Sequence, residues 1–200
     1  MHKIYDKWPE MAKNAYSSNS SLTLFSGIDH IVIAGMGGSG AIGDLFSSII
    51  SKNDIHVTLV KGYLLPKTVN SKTLVIVISI SGNTIETLNV LKSAKVLNCN
   101  IVAFSSGGKM QEFCTKHNVE FHMIKKTHSP RTSFVTYVYS LLKILKQLLP
   151  LTENDIVESI SVLEDTQKLI NSKNLSETNT SIILSQKISD IPLIYYPHGL

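Results

Sequence analysis

Apolar residues along this chain change rhythm twice, and the changes outline its architecture. From residue 4 to about 17 they recur at helical spacing, with Ile4, Trp8, Met11 and Ala15 on one face. That pattern predicts an amphipathic helix lying against the domain. A polar linker, 17–21, follows. Short apolar runs then alternate with helix-period segments. Strands are predicted near 30–35, 55–60, 73–79, 100–104 and 119–124, with helices near 40–51, 84–97 and 108–117 between most of them. Four of these strands are near-continuous apolar runs, as expected of strands covered on both faces. The alternation predicts an α/β fold with a doubly wound parallel sheet flanked by helices.

Beyond residue 125 the rhythm becomes helical again. Ser129 reads as the N-cap and Pro130 as the first residue of a long helix. Its apolar stripe runs through Phe134, Val138, Leu141, Leu145 and Leu148, opposite Lys143 and Lys146, and Pro150 ends it. A second helix is predicted over 152–171, capped by Thr152 with Asp155 three residues on, and a third over 176–188. The apolar run from Ile191 to Tyr196 reads as a strand opening a new unit. The expected organisation is an N-terminal helix and linker (1–22), a main α/β domain (23–150), a helical connection (151–190) and the first strand of a second α/β domain (191–200).

Composition narrows the class of protein without naming a function. A hydrophobic fraction of 43% with 17% charged residues over 200 positions fits a folded chain with a substantial core, not a disordered one. The net charge of +4 comes from scattered lysines, Lys125-Lys126 being the adjacent pair of note. A solvated surface short of acids explains it better than nucleic-acid binding, so no nucleic-acid partner is expected. Cys99 and Cys114 have neither CxxC spacing nor a metal-ligand histidine nearby, and both read as small core residues in a reducing compartment. No pair among His30, His117, His122 and His128 has helical i,i+4 spacing beside an acid, so no metal site is expected. The first ten residues have no apolar signal core, and no apolar stretch approaches the ~20 residues of a membrane helix. A cytoplasmic protein without membrane contact is the default expectation.

Chemistry concentrates in two loops. Gly-Met-Gly-Gly-Ser-Gly, Gly35 to Gly40, follows the first strand, and Ser-Ile-Ser-Gly-Asn-Thr, Ser79 to Thr84, follows the third. Each ends a buried-type strand and opens a helix, which aims backbone N–H groups and the positive helix end at one point. Ser39, Ser79, Ser81 and Thr84 add hydroxyl donors suited to the oxygens of a phosphate monoester. Two other readings stand beside this one. Serines at strand ends are commonly turn residues or caps, and Ser81 or Asn83 is the expected N-cap of the following helix, with Glu86 a dipole-complementing residue in its first turn. Gly35, Gly37 and Gly40 also satisfy the dinucleotide fingerprint, although the next strand ends in Lys61-Gly62 with no acid for a ribose. Arg131 is expected at the second helical position, where a cation opposes the dipole; it is either an exposed, tolerated arginine or a cation facing a substrate.

The combination resembles the sugar isomerase (SIS) domain family, a flavodoxin-like three-layer sandwich that binds phosphorylated sugars after its first and third strands. Gly-Met-Gly-Gly-Ser-Gly-Ala at 35–41, Ser-Ile-Ser-Gly-Asn-Thr-Ile-Glu-Thr-Leu at 79–88 and Ser-Pro-Arg at 129–131 resemble the archaeal-type bifunctional phosphoglucose/phosphomannose isomerases. The likeness covers about residues 4–150. It implies a substrate site at Gly37, Gly38, Ser39, Ser79, Ser81, Thr84 and Arg131, with Arg131 also catalytic through stabilisation of an enediol(ate). The implied reaction interconverts glucose 6-phosphate or mannose 6-phosphate with fructose 6-phosphate, without a metal or organic cofactor. A carboxylate moves the proton between C2 and C1. In that family the base is a glutamate of a second SIS domain, a histidine comes from the other subunit, and a lysine lies near the C-terminus. None has a match in residues 1–200, so this chain alone is expected to be inactive. Family members pair their subunits, and the long helices after residue 129 carry broad apolar faces beyond what a single domain covers, so the full-length protein is expected to be a homodimer. The rivals are a non-catalytic SIS module that senses a sugar phosphate and an NAD(P)-linked oxidoreductase.

Overall fold

The computed structural model describes residues 2–18 and 25–192. Five strands, β1 (His30–Ala34), β2 (His56–Val60), β3 (Thr73–Ser79), β4 (Asn100–Ser105) and β5 (Glu120–Met123), form one parallel sheet in the order β2-β1-β3-β4-β5. Alternate side chains serve two separate cores, as the strand period demands. Ile31, Ile33, Leu74, Ile76, Ile78 and Phe104 face a layer containing α2 (Trp8–Tyr16), α3 (Gly38–Ile50) and α6 (Phe134–Ile144). Val32, Ala34, Val75, Val77 and Ala103 face α4 (Ile85–Val96) and α5 (Gly108–His117). The sheet is therefore doubly wound, as its sequence pattern predicts. Full burial along the whole strand is confined to β1 and β3. The outer strands β2 and β5 are only partly covered, because each lies at an edge of the sheet. Truncating a fully buried side chain such as Ile76 to Ala would cost about 2–5 kcal/mol.

The N-terminal segment differs from the single helix expected over 4–17. It forms a short helix, α1 (His2–Tyr5), and then α2. Pro9 sits in the first turn of α2, and its ring would clash with the carbonyl four residues back, at Tyr5, if one helix ran through. Ala12 and Ala15 are buried, so α2 approaches α6 closely, and the Trp8 indole N–H donates to the Thr132 carbonyl at 3.1 Å.

The long helix predicted from Ser129 begins later, at Phe134. Residues 129–133 form a separate turn in which the Ser133 N–H donates to the Ser129 carbonyl at 3.1 Å. Ser129 still caps, but it caps this turn: its hydroxyl accepts from the Thr132 N–H at 3.4 Å while Thr132 Oγ1 accepts from the Ser129 N–H at 3.0 Å. Arg131 therefore lies in a turn ahead of α6 and not at its second position. Helix α7 (Glu153–Ile170) has the expected Thr152–Asp155 capping box. Helix α8 (Thr180–Lys187) is shorter than the predicted 176–188. Asn174 and Asn179 hold the preceding backbone in turns, Asn174 Oδ1 accepting from the Ser176 N–H at 3.1 Å and Asn179 Nδ2 donating to the Asn174 carbonyl at 2.7 Å. Such side-chain bonds compete with helix.

Of the long helices after residue 129, α6 has its apolar face covered, with Val135, Tyr137, Val138, Leu141 and Leu142 all buried. Exposed apolar residues lie instead on α7, α8 and the segments around them: Val157, Leu169, Leu175, Leu184 and Ile191. Residues 191–192 carry no strand, and the remainder of the strand expected at 191–196, with the second unit it would open, lies outside the described residues. No helix of the described residues is long and apolar enough to cross a membrane.

Candidate functional site

Strand order places the two hydroxyl-rich loops side by side. With β1 next to β3, the helix that follows β1 packs on one face of the sheet and the helix that follows β3 on the other. The chain parts at this point, and the carboxyl edge of β1 and β3 is where such folds open a ligand crevice. The same order argues against the dinucleotide reading of the glycines. A dinucleotide fold keeps its second and third strands on the same side of the first, whereas here they flank β1. Lys61, which stands after β2 where a dinucleotide site has its ribose-binding acid, is engaged by Asp44 of α3 at 2.7 Å.

Each loop is shaped by a close backbone approach. A Cβ on Gly35 would lie 2.8 Å from the Ser39 carbonyl carbon and oxygen, so only glycine lets α3 start directly over the end of β1. Gly82 has φ +69°, and a Cβ there would lie 1.7 Å from the Gly107 carbonyl oxygen. The first-turn N–H groups of α3 and α4 have no intrahelical acceptor and stand at this edge.

The hydroxyls are tied to the loop backbone through their oxygens. Ser39 Oγ accepts from the Ile80 N–H at 3.4 Å, which joins the first loop to the second. Ser79 Oγ accepts from the Gly82 N–H at 3.1 Å and donates to Thr84 Oγ1 at 3.0 Å. Ser81 Oγ accepts from the Asn83 N–H at 3.2 Å. Ser39, Ser81 and Thr84 thus each have a lone pair turned to a donor within the protein, and none of their hydroxyl protons meets an acceptor among the described residues. Those protons, beside two helix N-termini, suit an anion. Ser39 and Ser79 are buried, Thr84 is half-buried and Ser81 is exposed, so the donors run from the floor of the crevice to its rim.

The structure brings Ser39, Ser79, Ser81 and Thr84 into one connected group, beside Gly37 and Gly38 at the start of α3. Arg131 stands apart from that group. It is exposed in the turn after β5, and among the described residues it makes no hydrogen bond or ion pair with the loops. Capping also differs from expectation. Thr84, not Ser81 or Asn83, is the N-cap residue of α4. The Asn83 side chain turns to the neighbouring helix, Oδ1 accepting from the Lys109 N–H at 3.1 Å. Glu86 lies in the first turn of α4, where it complements the helix dipole.

A third loop carries the same sequence signal as the other two. Phe-Ser-Ser-Gly-Gly-Lys, 104–109, is another apolar strand running into small and hydroxyl residues before a helix. Ser106 Oγ donates to the Ile80 carbonyl at 2.7 Å, and the Met110 N–H donates to the Gly82 carbonyl at 2.9 Å.

His30 and His122 are engaged elsewhere. His30 begins β1 at the opposite end of the sheet, its Nε2 2.9 Å from Thr58 Oγ1. Burial, followed by the neighbouring His56, holds its pKa below the usual value. His122 pairs with Glu120 at 2.7 Å and stacks on Phe104. No group of three or more His, Cys, Asp or Glu side chains among the described residues is placed to hold a metal ion. Both cysteines are free, with Cys114 buried and Cys99 only partly so; burial raises the Cys114 thiol to about 11.

Comparison with known proteins agrees with this geometry. Residues 24–148 match the SIS domain family. A "Bifunctional phosphoglucose/phosphomannose isomerase" of Caldicellulosiruptor bescii is 33% identical over 196 residues, covering 94% of this chain and 57% of that protein. A "D-glucosamine-6-phosphate 4-epimerase" of Sulfolobus acidocaldarius is 29% identical over 148 residues, covering 74% of this chain and 46% of that protein. The chain thus spans about half the length of these relatives. Among solved structures, the C-terminal domain of glucosamine-fructose-6-phosphate aminotransferase from Francisella tularensis superposes with a TM-score of 0.59 at 20% identity, over 84% of this chain and 53% of that one. That likeness concerns the fold.

Proposed function

The chain belongs to the SIS domain family, and from that membership we propose that it is the phosphosugar-holding part of an aldose–ketose isomerase acting on hexose 6-phosphates. The reaction would interconvert glucose 6-phosphate or mannose 6-phosphate with fructose 6-phosphate through an enediol. The observation that carries the reading is the set of hydroxyl donors on Ser39, Ser81 and Thr84, at two helix N-termini that diverge from adjacent strands. The phosphate would rest between the loops, on Gly37, Gly38, Ser39, Ser79, Ser81 and Thr84, leaving the sugar to extend toward the open edge.

Isomerisation then requires a base to take a proton at C2 and return it at C1. A cation beside the developing enediolate lowers the barrier electrostatically. Arg131 is assigned that role: it is exposed, and its side chain has no hydrogen bond or ion pair among the described residues to hold it from the substrate. The base is assigned to a unit outside these 200 residues, for which the longer relatives have the length. In the full-length protein two copies are proposed to pair, and the cytoplasm is the proposed compartment.

The epimerase relative defines the rival reading, since one phosphosugar scaffold can carry different chemistry. Product analysis separates the two. The full-length protein, given fructose 6-phosphate, is expected to form glucose 6-phosphate and mannose 6-phosphate; binding without either product would leave an epimerase or a sensing module and overturn the isomerase reading. No binding of fructose 6-phosphate by the 200-residue chain in a calorimetric titration would overturn the phosphate site itself.

A further inference from the structure

The loop after β4 is tied to the loop after β3. Ser106 is half-buried and follows β4 directly. Its hydroxyl donates to the Ile80 carbonyl at 2.7 Å, and its N–H donates to the same oxygen at 3.3 Å. On the opposite side, the Ile80 N–H is held by Ser39 Oγ at 3.4 Å. Ile80 is therefore clasped between the loops that follow β1 and β4.

One consequence follows from peptide geometry. The Ile80 carbonyl and the Ser81 N–H belong to one planar trans peptide unit, so they point in opposite directions. A carbonyl drawn toward Ser106 sends the Ser81 N–H away from the 105–109 loop. That amide is part of the N-terminal approach to α4, where donors gather for an anion. Were the peptide to turn over, a carbonyl oxygen would face the phosphate in place of a donor.

We propose that Ser106 is a positioning residue for the phosphate loop: its hydroxyl fixes the Ile80–Ser81 peptide so that the Ser81 amide serves as an anion donor. Asn83 and Met110 support the same register, through Asn83 Oδ1 with the Lys109 N–H and through the Met110 N–H with the Gly82 carbonyl. Neither bond, however, acts on the Ile80–Ser81 peptide itself. The ligand class rests on the hexose 6-phosphate reading above; the orientation of the peptide does not.

The test uses Ser106→Ala and Ser106→Thr in the 200-residue chain, with two readouts. Amide hydrogen exchange at position 106, whose N–H donates to the Ile80 carbonyl at 3.3 Å, reports where that carbonyl points. Measured without ligand and relative to the intrinsic rate of the residue, it is expected to quicken by about tenfold or more in Ser106→Ala and to return near the original protection in Ser106→Thr. Affinity for fructose 6-phosphate is expected to fall about fivefold or more in the alanine variant, the size of one lost hydrogen bond, and to recover in the threonine variant. The melting temperature is expected to change little in either. Unaltered protection at position 106 in Ser106→Ala overturns the proposal whatever the binding shows. Binding that persists at full strength despite faster exchange also overturns it. An unaltered chain that binds no fructose 6-phosphate, but whose protection at position 106 still depends on the Ser106 hydroxyl, keeps the brace and sinks the substrate reading.

Discussion

At the scale of single residues, donors and buried groups carry the arguments. Ser81 lies at the exposed rim and contributes little to the core, so Ser81→Ala is expected to weaken fructose 6-phosphate binding about tenfold or more, as loss of a charge-assisted hydrogen bond would. The melting temperature should be nearly unchanged; calorimetry beside thermal unfolding decides, and loss of the fold with unaltered affinity would make the serine merely a cap. Arg131→Ala, in the full-length protein, is expected to lower kcat roughly 10²–10³-fold with KM little altered, because its interaction belongs to the enediolate and not to the ground state. A raised KM with kcat intact would assign Arg131 to binding alone. His30 makes a different prediction. Its folded pKa is depressed by burial and then by His56, with Asp29 acting in the opposite sense. The unfolded chain therefore takes up this proton first, and stability is lost as pH falls through the ordinary histidine range. Thermal unfolding at pH 7.5 and 5.5 should show a smaller acid-induced drop in Tm for His30→Gln than for the unaltered chain. Equal drops would remove His30 as a source of acid sensitivity.

At the scale of elements, most strands and helices were legible because apolar period alone distinguishes them. What the period did not reveal were the places where a local interaction overrides it. Pro9 splits the N-terminal helix despite an unbroken apolar face. The reciprocal Ser129–Thr132 bonds close a turn of their own before α6. Asn83 looked like a cap for the helix it precedes and caps α5 instead, a pairing between loops distant in sequence. The hydroxyl-rich loops were legible as an anion site since strand, small residues and helix follow one another in the chain. The brace at Ser106 was not, because it depends on β3 and β4 being neighbours. Gly82 tests this loop-to-loop contact directly. A side chain there meets the Gly107 carbonyl and must adopt positive φ, so Gly82→Ala is expected to cost more than the roughly 1–3 kcal/mol of a strained backbone alone. Urea unfolding reads the cost; a midpoint shift too small to measure would mean that the two loops separate freely.

At the scale of the whole molecule, the proposed reading divides binding from chemistry. Loops that hold a phosphate do not by that alone speed proton transfer, since uniform binding leaves the barrier unchanged. A coupled assay on the 200-residue chain is expected to show no isomerisation, whereas the full-length protein is expected to turn over. Activity in the short chain that vanishes in Arg131→Ala would place a base within these residues. Leu175 and Leu184, with 81% and 61% of their surface exposed, leave the α7–α8 side of the domain apolar and open. Light scattering on the full-length protein is expected to give the mass of two chains at micromolar concentration; the mass of one would count against pairing.

The two helix N-termini at this edge also bear on which form of a ligand would rest there. A phosphate monoester exchanges its second proton near pH 6. Below that point the ester loses one negative charge, and with it part of its attraction to the positive ends of α3 and α4. A phosphate held between the loops would therefore be held best as the dianion. Affinity should fade as the solution turns acid through the titration of the ester itself: the pH response of binding is written in the ligand, and the protein only reads it.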